Sequence, residues 1–281
     1  MRRASVLLVL VIGMLASAAL PAAAITGGEL DGDQHPNVAM IVFYQPDGRF
    51  RCSATLVSPT VLVTAAHCTE LVRGKTIVTF DRVAPTPTPR ASDDVGDGQS
   101  QIGYVAPVPG WFTGTPHAHP LWDGELQNND LHDVGVVVLD APYTAATPAM
   151  LPPEGYLTDL KNSKYGLNKQ EFEVVGYGVF FAKPEAGPQK PTAVSDRTRR
   201  FTTVVGQNLT SQVLKVQETD NNATGGGGTC FGDSGGPAFH GGYIVGDTSF
   251  GGSQFCTGMG GFMRLDIEDS RSFLDDFVAV P

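Results

Sequence analysis

Short β-type runs separated by turn residues recur along most of the chain, and no other feature limits the fold as strongly. Each run is rich in β-branched and aromatic residues, and Gly, Pro, Asn or Asp lies between the runs at close spacing. The runs span residues 38–44, 53–57, 61–65, 76–83, 134–139, 172–177, 201–205, 212–217 and 243–245. This pattern predicts an all-β protein, built as a sandwich or a barrel.

Three segments interrupt the pattern. Residues 266–278 place apolar side chains at 267, 274, 277 and 278 with acidic residues in the first turn, which predicts a C-terminal amphipathic helix. Residues 83–129 are rich in Pro, Asp and Gly, and they are expected to form a loop or an insertion. Residues 141–155 contain four prolines, so a domain boundary is expected there.

The first 24 residues have the organisation of an export signal. Two arginines follow Met1, residues 6–20 are apolar but too few to span a membrane, and an A-x-A sequence ends at Ala24. We therefore expect residues 1–24 to be removed and the remaining protein to be secreted. No second hydrophobic segment of the sequence suits a membrane anchor.

Composition limits the class of partner. Hydrophobic residues make up 41% of the 281 residues and charged residues 17%, which is typical of a globular protein rather than a disordered one. The net charge of −10 repels phosphate groups. Nucleic acid and anionic membranes are therefore excluded as main partners.

Four cysteines in an exported chain indicate two disulfides. Three pairings of four cysteines are possible. Cys52 is near Cys68 in the sequence and Cys230 is near Cys256, whereas the two groups are far apart. We expect each disulfide to join the two cysteines of one group.

The chemistry is concentrated in the sequence C-F-G-D-S-G-G-P at residues 230–237. A serine hydroxyl becomes a strong nucleophile only when a base removes its proton, and the carbonyl oxygen of the attacked group needs hydrogen-bond donors. Glycines on both sides of Ser234 allow a tight turn, in which the backbone N–H groups of Gly232 and Ser234 point to one place. We therefore expect Ser234 to be a nucleophile and these two N–H groups to form its oxyanion hole.

The order of residues along the chain separates two kinds of hydrolase. In α/β-hydrolases the nucleophile precedes both the acid and the histidine, but His240 is the one histidine after Ser234 and lies only six residues beyond it. The base must therefore lie upstream. The sequence T-A-A-H-C at residues 64–68 places His67 at the end of a β-type run, beside a cysteine that can fix its position.

The sequences at residues 64–68 and 232–237 resemble those of the chymotrypsin (trypsin-like) serine protease family. The resemblance extends from I-T-G-G at residues 25–28, which is similar to the family's mature amino terminus, to the C-terminal helix. It implies two six-stranded antiparallel β-barrels, here at about 25–145 and 146–265, and a helix at about 266–279. It also implies a Ser-His-Asp triad in the cleft between the barrels.

Two aspartates are candidates for the acid of that triad, Asp130 and Asp133. Asp133 is followed at once by the apolar run at 134–139, as the catalytic aspartate is in the family. We therefore expect Asp133 to accept the N–H of His67 and Asp130 to be a loop residue.

The resemblance also assigns the pocket for the residue that precedes the scissile bond. Gly228 occupies the position where trypsins have an aspartate, which argues against a preference for Lys or Arg. Ser249, Phe250 and Gly251 match the strand that lines the pocket, and Gly251 and Gly260 match two wall positions. We expect an open, apolar pocket that prefers a large hydrophobic residue such as Phe, Tyr or Leu.

Members of this family insert the α-amino group of the first mature residue into the protein, where it pairs with the aspartate beside the nucleophile. The corresponding residues here are Ile25 and Asp233. Because the export signal ends at Ala24, we expect signal cleavage itself to create the activating terminus, without a separate activation step.

No metal ion or other cofactor is expected. A zinc site formed by His117, His119 and His132 is an alternative, but nothing in the sequence indicates that these residues converge. The expected partners are protein or peptide substrates and protease inhibitors, and we expect the protein to be a monomer.

Two functions remain open. One is a secreted serine endopeptidase that acts through an acyl-enzyme intermediate, and the other is a catalytically silent homologue that uses the fold as a binding surface. Silent relatives typically lose the serine, the histidine or the oxyanion glycine. Ser234, His67 and Gly232 are all present, which favours the enzyme.

Overall fold

The computed structural model describes residues 25–126, 131–182, 192–219 and 227–281. Within these ranges the chain forms two closed antiparallel β-barrels and two α-helices, one of them near the carboxyl end. The all-β fold and the two six-stranded barrels are therefore confirmed. No helix in the described ranges is long and apolar enough to cross a membrane.

The first barrel follows a two-residue strand, β1 (Glu29–Leu30). Its six strands are β2 (Val38–Gln45), β3 (Gly48–Ser58), β4 (Val61–Thr64), β5 (Arg73–Thr79), β6 (Phe112–Ala118) and β7 (Gly135–Leu139). They close in the order β2-β3-β4-β7-β6-β5. Apolar side chains such as Ile41, Leu56 and Val137, which belong to the inward-facing positions of the strands, fill the interior.

The second barrel follows helix α1 (Tyr156–Asn162). The strands of this half are β8 (Glu171–Gly176), β9 (Phe180–Ala182), β10 (Thr192–Val194), β11 (Arg200–Leu209), β12 (Val213–Glu218), β13 (Pro237–His240), β14 (Tyr243–Phe250) and β15 (Gly258–Arg264). Strands pair in the order β11-β12-β15-β14-β13-β8, and a β8–β11 pairing closes the barrel, while β9 and β10 form a separate pair. Strand β1 adds to the edge of β11, so the amino-terminal residues pair with the second barrel.

Strand β6 corrects one expectation, because it lies inside the segment 83–129 that was expected to be loop. The strand contains Gly114 and Pro116 and lacks a regular alternation of apolar residues, so its sequence does not look like a strand. The pairing of β6 with β7 explains why residue 114 is a glycine. A Cβ at position 114 would overlap the Val137 side chain, so tertiary packing, rather than local preference, selects this residue.

The predicted C-terminal helix is present as α2 (Glu268–Asp275). Phe273 and Leu274 pack into a buried cluster that contains Val136 of the first barrel and Met263 of the second. Burial of a Leu or Phe side chain contributes about 1.5–3 kcal/mol. The helix therefore helps to hold the two barrels against each other. Helix α1 was not predicted.

Both disulfides join the expected partners. Cys52 on β3 is bonded to Cys68, which ends a short 3₁₀ turn at Ala66–Cys68. Cys230 is bonded to Cys256 across the two loops that flank the predicted pocket. Each bridge therefore fixes a segment next to a predicted site residue, His67 in the first barrel and Ser234 in the second.

Candidate active site

His67 lies in the 3₁₀ turn that follows β4. The buried strand and the Cys52–Cys68 disulfide hold this turn on both sides of the histidine. Its Nδ1 atom lies 2.9 Å from Oδ2 and 3.1 Å from Oδ1 of Asp133, and its backbone N–H donates to Oδ1 at 3.0 Å. One carboxylate therefore holds both the ring of His67, through two contacts, and its backbone, through one.

Asp133 lies two residues before the start of β7 and is completely buried. Besides His67, its carboxylate accepts a hydrogen bond from Ser249 Oγ at 2.5 Å. Burial alone would lower the pKa of His67, but the charge of Asp133 and its hydrogen bond outweigh burial and raise that pKa above its ordinary value. Asp130, the other candidate for the acid, lies outside the described residues.

Ser234 lies in a tight turn between Gly232 and Gly235, which have φ angles of +97° and +73°. These angles fall in a region that favours glycine. Strand β3 of the other barrel holds the turn, because Ser53 N–H donates to Ser234 O at 2.8 Å and Ser53 Oγ donates to Gly232 O at 3.1 Å. The turn that holds Ser234 in one barrel is thus tied to the barrel that holds His67.

Two cavities meet at this pair of residues, and both are lined by His67 and Ser234. The first cavity has a volume of about 710 Å³ and is lined also by Thr229, Ser249 and Phe250. The second cavity, of about 770 Å³, extends over β2 and β3. Among the described residues no hydrogen bond joins the Ser234 hydroxyl to the His67 ring, and such bonds are commonly long in enzymes without substrate.

Asp233 is buried beside Ser234. Its carboxylate accepts N–H groups of Gly178 at 2.7 Å and Cys230 at 2.8 Å. Burial raises the pKa of Asp233 to about 7 despite these hydrogen bonds. Ile25 is also completely buried and packs into the core of the second barrel. Both members of the expected activation pair therefore lie inside the protein.

The predicted pocket residues fall into two groups. Ser249, Phe250 and Gly251 line the first cavity, and a Cβ at Gly251 would meet open space. Gly228 and Gly260 instead contact the side chain of Glu218, and a Cβ at Gly260 would overlap its carboxyl group. Of the two glycines that were expected to leave the pocket open, Gly251 borders open space, whereas the carboxyl group of Glu218 occupies the space beside Gly260.

Glu218 is the functional candidate that sequence reasoning missed. It is 1% exposed, and its Oε1 accepts hydrogen bonds from the backbone N–H and hydroxyl of Thr229 at 3.0 and 2.6 Å. Oε2 has no partner among the described residues. Burial raises the pKa of Glu218 to about 7, against the hydrogen bonds from Thr229. Pairing of β12 with β15 sets this position, which no local motif of the sequence indicates.

The structure brings together His119, His132 and Asp269, whereas the sequence alternative for zinc combined the first two with His117. His132 Nδ1 lies 2.7 Å from Asp269, and His119 Nε2 lies 3.6 Å from it. Leu121 N–H donates to His119 Nδ1, which must therefore be unprotonated. A metal bound at Nε2 would require a proton on Nδ1, so the hydrogen bonding does not fit a metal site.

Comparison with known proteins places the chain in one family. The family model described as Trypsin matches residues 25–266. A trypsin from Saccharopolyspora erythraea is 26% identical over 243 residues, which cover 81% of this chain and 86% of that protein. A CLIP domain-containing serine protease B10 from Anopheles gambiae is 25% identical over 73% of this chain, but only 55% of that protein is covered.

Solved structures share the fold. An HL collagenase superposes with a TM-score of 0.58 at 18% identity, over 88% of this chain and 94% of the other. Human heparin binding protein superposes with a TM-score of 0.57 at 18% identity, over 92% and 99%. Together with the family model, which spans both barrels, these similarities show that the chain belongs to the trypsin family of chymotrypsin-fold serine endopeptidases.

Proposed function

We propose that this protein is an endopeptidase in which Ser234, His67 and Asp133 form the catalytic triad. The observation that carries the proposal is the contact of the Asp133 carboxylate with Nδ1 of His67, on a histidine that shares two cavities with Ser234. In this arrangement Asp133 holds the Nδ1–H tautomer, so that Nε2 is free to act as a base.

The reaction follows from these positions. Ser234 Oγ attacks the carbonyl carbon of the scissile peptide while His67 Nε2 takes its proton. The N–H groups of Gly232 and Ser234 stabilise the negative charge that develops on the carbonyl oxygen. His67 then gives the proton to the leaving amine, which leaves an ester of Ser234. Water activated by His67 hydrolyses this ester and returns the enzyme to its starting state.

The pocket proposal differs from the expectation drawn from the sequence. Glu218 lies behind Thr229, which lines the first cavity, and its Oε2 has no partner among the described residues. A fully apolar side chain in this cavity would leave that buried oxygen without a donor. A lysine or arginine that enters the first cavity past Phe250 and Gly251 would supply the missing donor and a compensating charge. We infer that Glu218 makes Lys or Arg the preferred residue before the scissile bond.

Activation and location complete the proposal. The amino group released at Ile25 would pair with Asp233 and stabilise its ionised form, since an ammonium partner lowers the pKa of a buried carboxyl. Two disulfides, which persist in oxidising compartments, support secretion after removal of residues 1–24.

A fluorophosphonate probe tests the triad directly, because it labels only an activated serine. The wild-type protein is expected to incorporate the probe and to hydrolyse peptide esters, and Ser234→Ala is expected to do neither. Ser163→Ala, an exposed serine after α1, is the matched control and should label normally. Failure of the folded wild-type protein to react would favour the catalytically silent homologue instead.

A further inference from the structure

The second cavity contains an unusual concentration of arginine for an acidic protein. Arg49, Arg51, Arg90 and Arg197 line it together with His67 and Ser234, whereas the chain as a whole has a net charge of −10. Two aspartates, Asp47 and Asp97, line the same cavity, and both are exposed.

Only one of the four guanidinium groups has a carboxylate partner in the described part of the chain. Arg90 Nη1 contacts both oxygens of Asp94 at 3.0 Å. Arg49 and Arg197 donate to neutral acceptors, the carbonyl oxygen and the hydroxyl of Thr88, at 3.2 and 2.8 Å. These two arginines are therefore held in place without neutralisation.

Arg51 is nearest to the reacting atoms. Its Nε lies 3.1 Å from the point where a Cβ would stand on Gly232, the glycine of the oxyanion hole. No hydrogen bond or ion pair of its guanidinium occurs among the described residues. Burial lowers the pKa of Arg51, and the nearby charge of Arg197 lowers it further, against smaller opposing effects of Asp233 and Asp196. The guanidinium of Arg51 is thus partly shielded from water and has no carboxylate partner among the described residues.

Such an arrangement suits a carboxylate. Arginine binds carboxylates through paired hydrogen bonds, and a partly desolvated guanidinium gains more from this contact than an exposed one. Arg51 lines the second cavity and not the first, and both cavities reach Ser234. If the residue before the scissile bond occupies the first cavity, the leaving part of the peptide extends into the second.

We propose that Arg51, flanked by Arg49 and Arg197, binds an acidic side chain in the first two residues after the scissile bond. The enzyme then selects sites that have Asp or Glu on the leaving side. This inference rests on the proposed function and adds a second determinant of specificity to the cleft.

Acyl transfer to added amines tests binding at Arg51 separately from binding in the first cavity, because the acyl group stays the same and only the amine changes. An ester substrate forms the acyl-enzyme, and the amine nitrogen of an added dipeptide amide attacks its carbonyl carbon. His67 takes a proton from the attacking amine and gives it to the oxygen of Ser234, which leaves as the new amide forms. Glu-Gly-amide is compared with Gln-Gly-amide, and Gly-Glu-amide with Gly-Gln-amide, by the ratio of transfer product to hydrolysis product.

In at least one of these pairs the glutamate amide is expected to be captured about fivefold better than the glutamine amide, as for a partly screened ion pair. The discrimination should fall at high salt. It should be lost in Arg51→Gln and partly retained in Arg51→Lys. Arg82→Gln removes an exposed arginine outside the cavity, and this control variant should retain the preference for the glutamate amide. Each ratio is measured within one enzyme, so changes in overall rate cancel.

Equal capture of both amines in both pairs by a wild-type enzyme that hydrolyses the ester would overturn the proposal and leave the proposed function intact. Unchanged discrimination in Arg51→Gln would also overturn the role of this residue. If the protein neither reacts with the fluorophosphonate probe nor hydrolyses the ester, the proposed function fails and this inference fails with it.

Discussion

Ser249 Oγ lies 2.5 Å from Oδ2 of Asp133, the same oxygen that lies 2.9 Å from His67 Nδ1. Ser249 is on β14, in the second barrel, and Asp133 precedes β7, in the first. The hydrogen bond therefore crosses the cleft. It restrains the carboxylate oxygen that faces the histidine, so Ser249 acts as a positioning residue for the proposed triad.

Removal of this hydroxyl should slow catalysis. Hydrogen bonds to charged groups contribute about 1.5–3 kcal/mol, so Ser249→Ala is expected to reduce kcat by about tenfold or more. The KM should change less, and Ser163→Ala should have no effect. Steady-state kinetics on one ester substrate checks both values. A wild-type kcat in Ser249→Ala would show that Asp133 does not need this donor.

The pH dependence of kcat/KM should follow His67. Only the neutral imidazole can accept the proton of Ser234, so activity is low below the pKa of His67 and rises as pH passes it. Because Asp133 raises that pKa, the acidic limb should lie above the ordinary histidine value of about 6.5. Asp133→Asn should move the limb to lower pH and lower the plateau. If the acidic limb of the pH profile stays at the same pH in Asp133→Asn, Asp133 does not set the pKa of His67.

Glu218 should control the choice of residue before the scissile bond. Anilide substrates ending in Arg or Lys are expected to outperform Phe analogues, and the Arg/Phe ratio should rise between pH 6 and 8 as a carboxyl with a pKa of about 7 loses its proton. Glu218→Gln preserves the shape and should remove most of this ratio and its pH dependence. A higher rate with Phe than with Arg in both the wild type and Glu218→Gln would contradict this role of Glu218 and favour the apolar pocket expected from the sequence.

An added residue before Ile25 should suppress activity. Asp233 is buried, and a buried pair that loses one partner costs about 3–5 kcal/mol. The amino terminus of secreted protein should be Ile25, and a variant that retains one extra residue there should be largely inactive although folded. Full activity of the extended protein, or another mature terminus, would contradict the proposed pairing with Asp233.

Asp247 should destabilise the fold at neutral pH. It is completely buried, neither carboxyl oxygen has a partner in the described ranges, and burial, followed by the charge of Asp133, raises its pKa well above the ordinary value. The folded protein therefore holds a proton that the unfolded chain releases above about pH 3.9, so this residue lowers stability as pH rises through that range. Asp247→Val should increase the free energy of unfolding at pH 8 by about 1–3 kcal/mol.

Thermal unfolding at pH 5 and pH 8 checks this sign. The gain in Tm from Asp247→Val should be larger at pH 8, since the wild-type protein has by then lost more of the stability that protonation provides. An equal gain at both pH values would indicate a packing effect rather than an effect of charge.

The sequence predicted the parts of this protein that depend on short stretches of chain. The motif around Ser234, the strand that ends at His67 and the C-terminal helix all have local signals, and the disulfide partners lie near each other in sequence. The apolar run after Asp133 is likewise a local signal, and the choice of Asp133 over Asp130 as the acid stays a prediction. These features could be predicted because neighbouring residues determine them.

The contacts that the sequence did not predict depend on which strands pair and on how the two barrels meet. Glu218 reaches the space beside Gly260 only because β12 lies against β15, and Ser249 meets Asp133 only when the barrels are joined. The same holds for Arg51, whose position next to Gly232 comes from strand β3 facing the turn of the other barrel. Residue type alone does not reveal such contacts, because the partners are separated by many residues.

Ser53 has a consequence for how activity arises during folding. Its backbone N–H and its hydroxyl hold the turn around Ser234, although it belongs to the barrel that provides His67 and Asp133. Neither half of the chain is therefore a partial enzyme. A molecule in which one barrel has folded ahead of the other contains Ser234 or His67 in place, but not both, so the proposed triad is assembled only when the two halves dock.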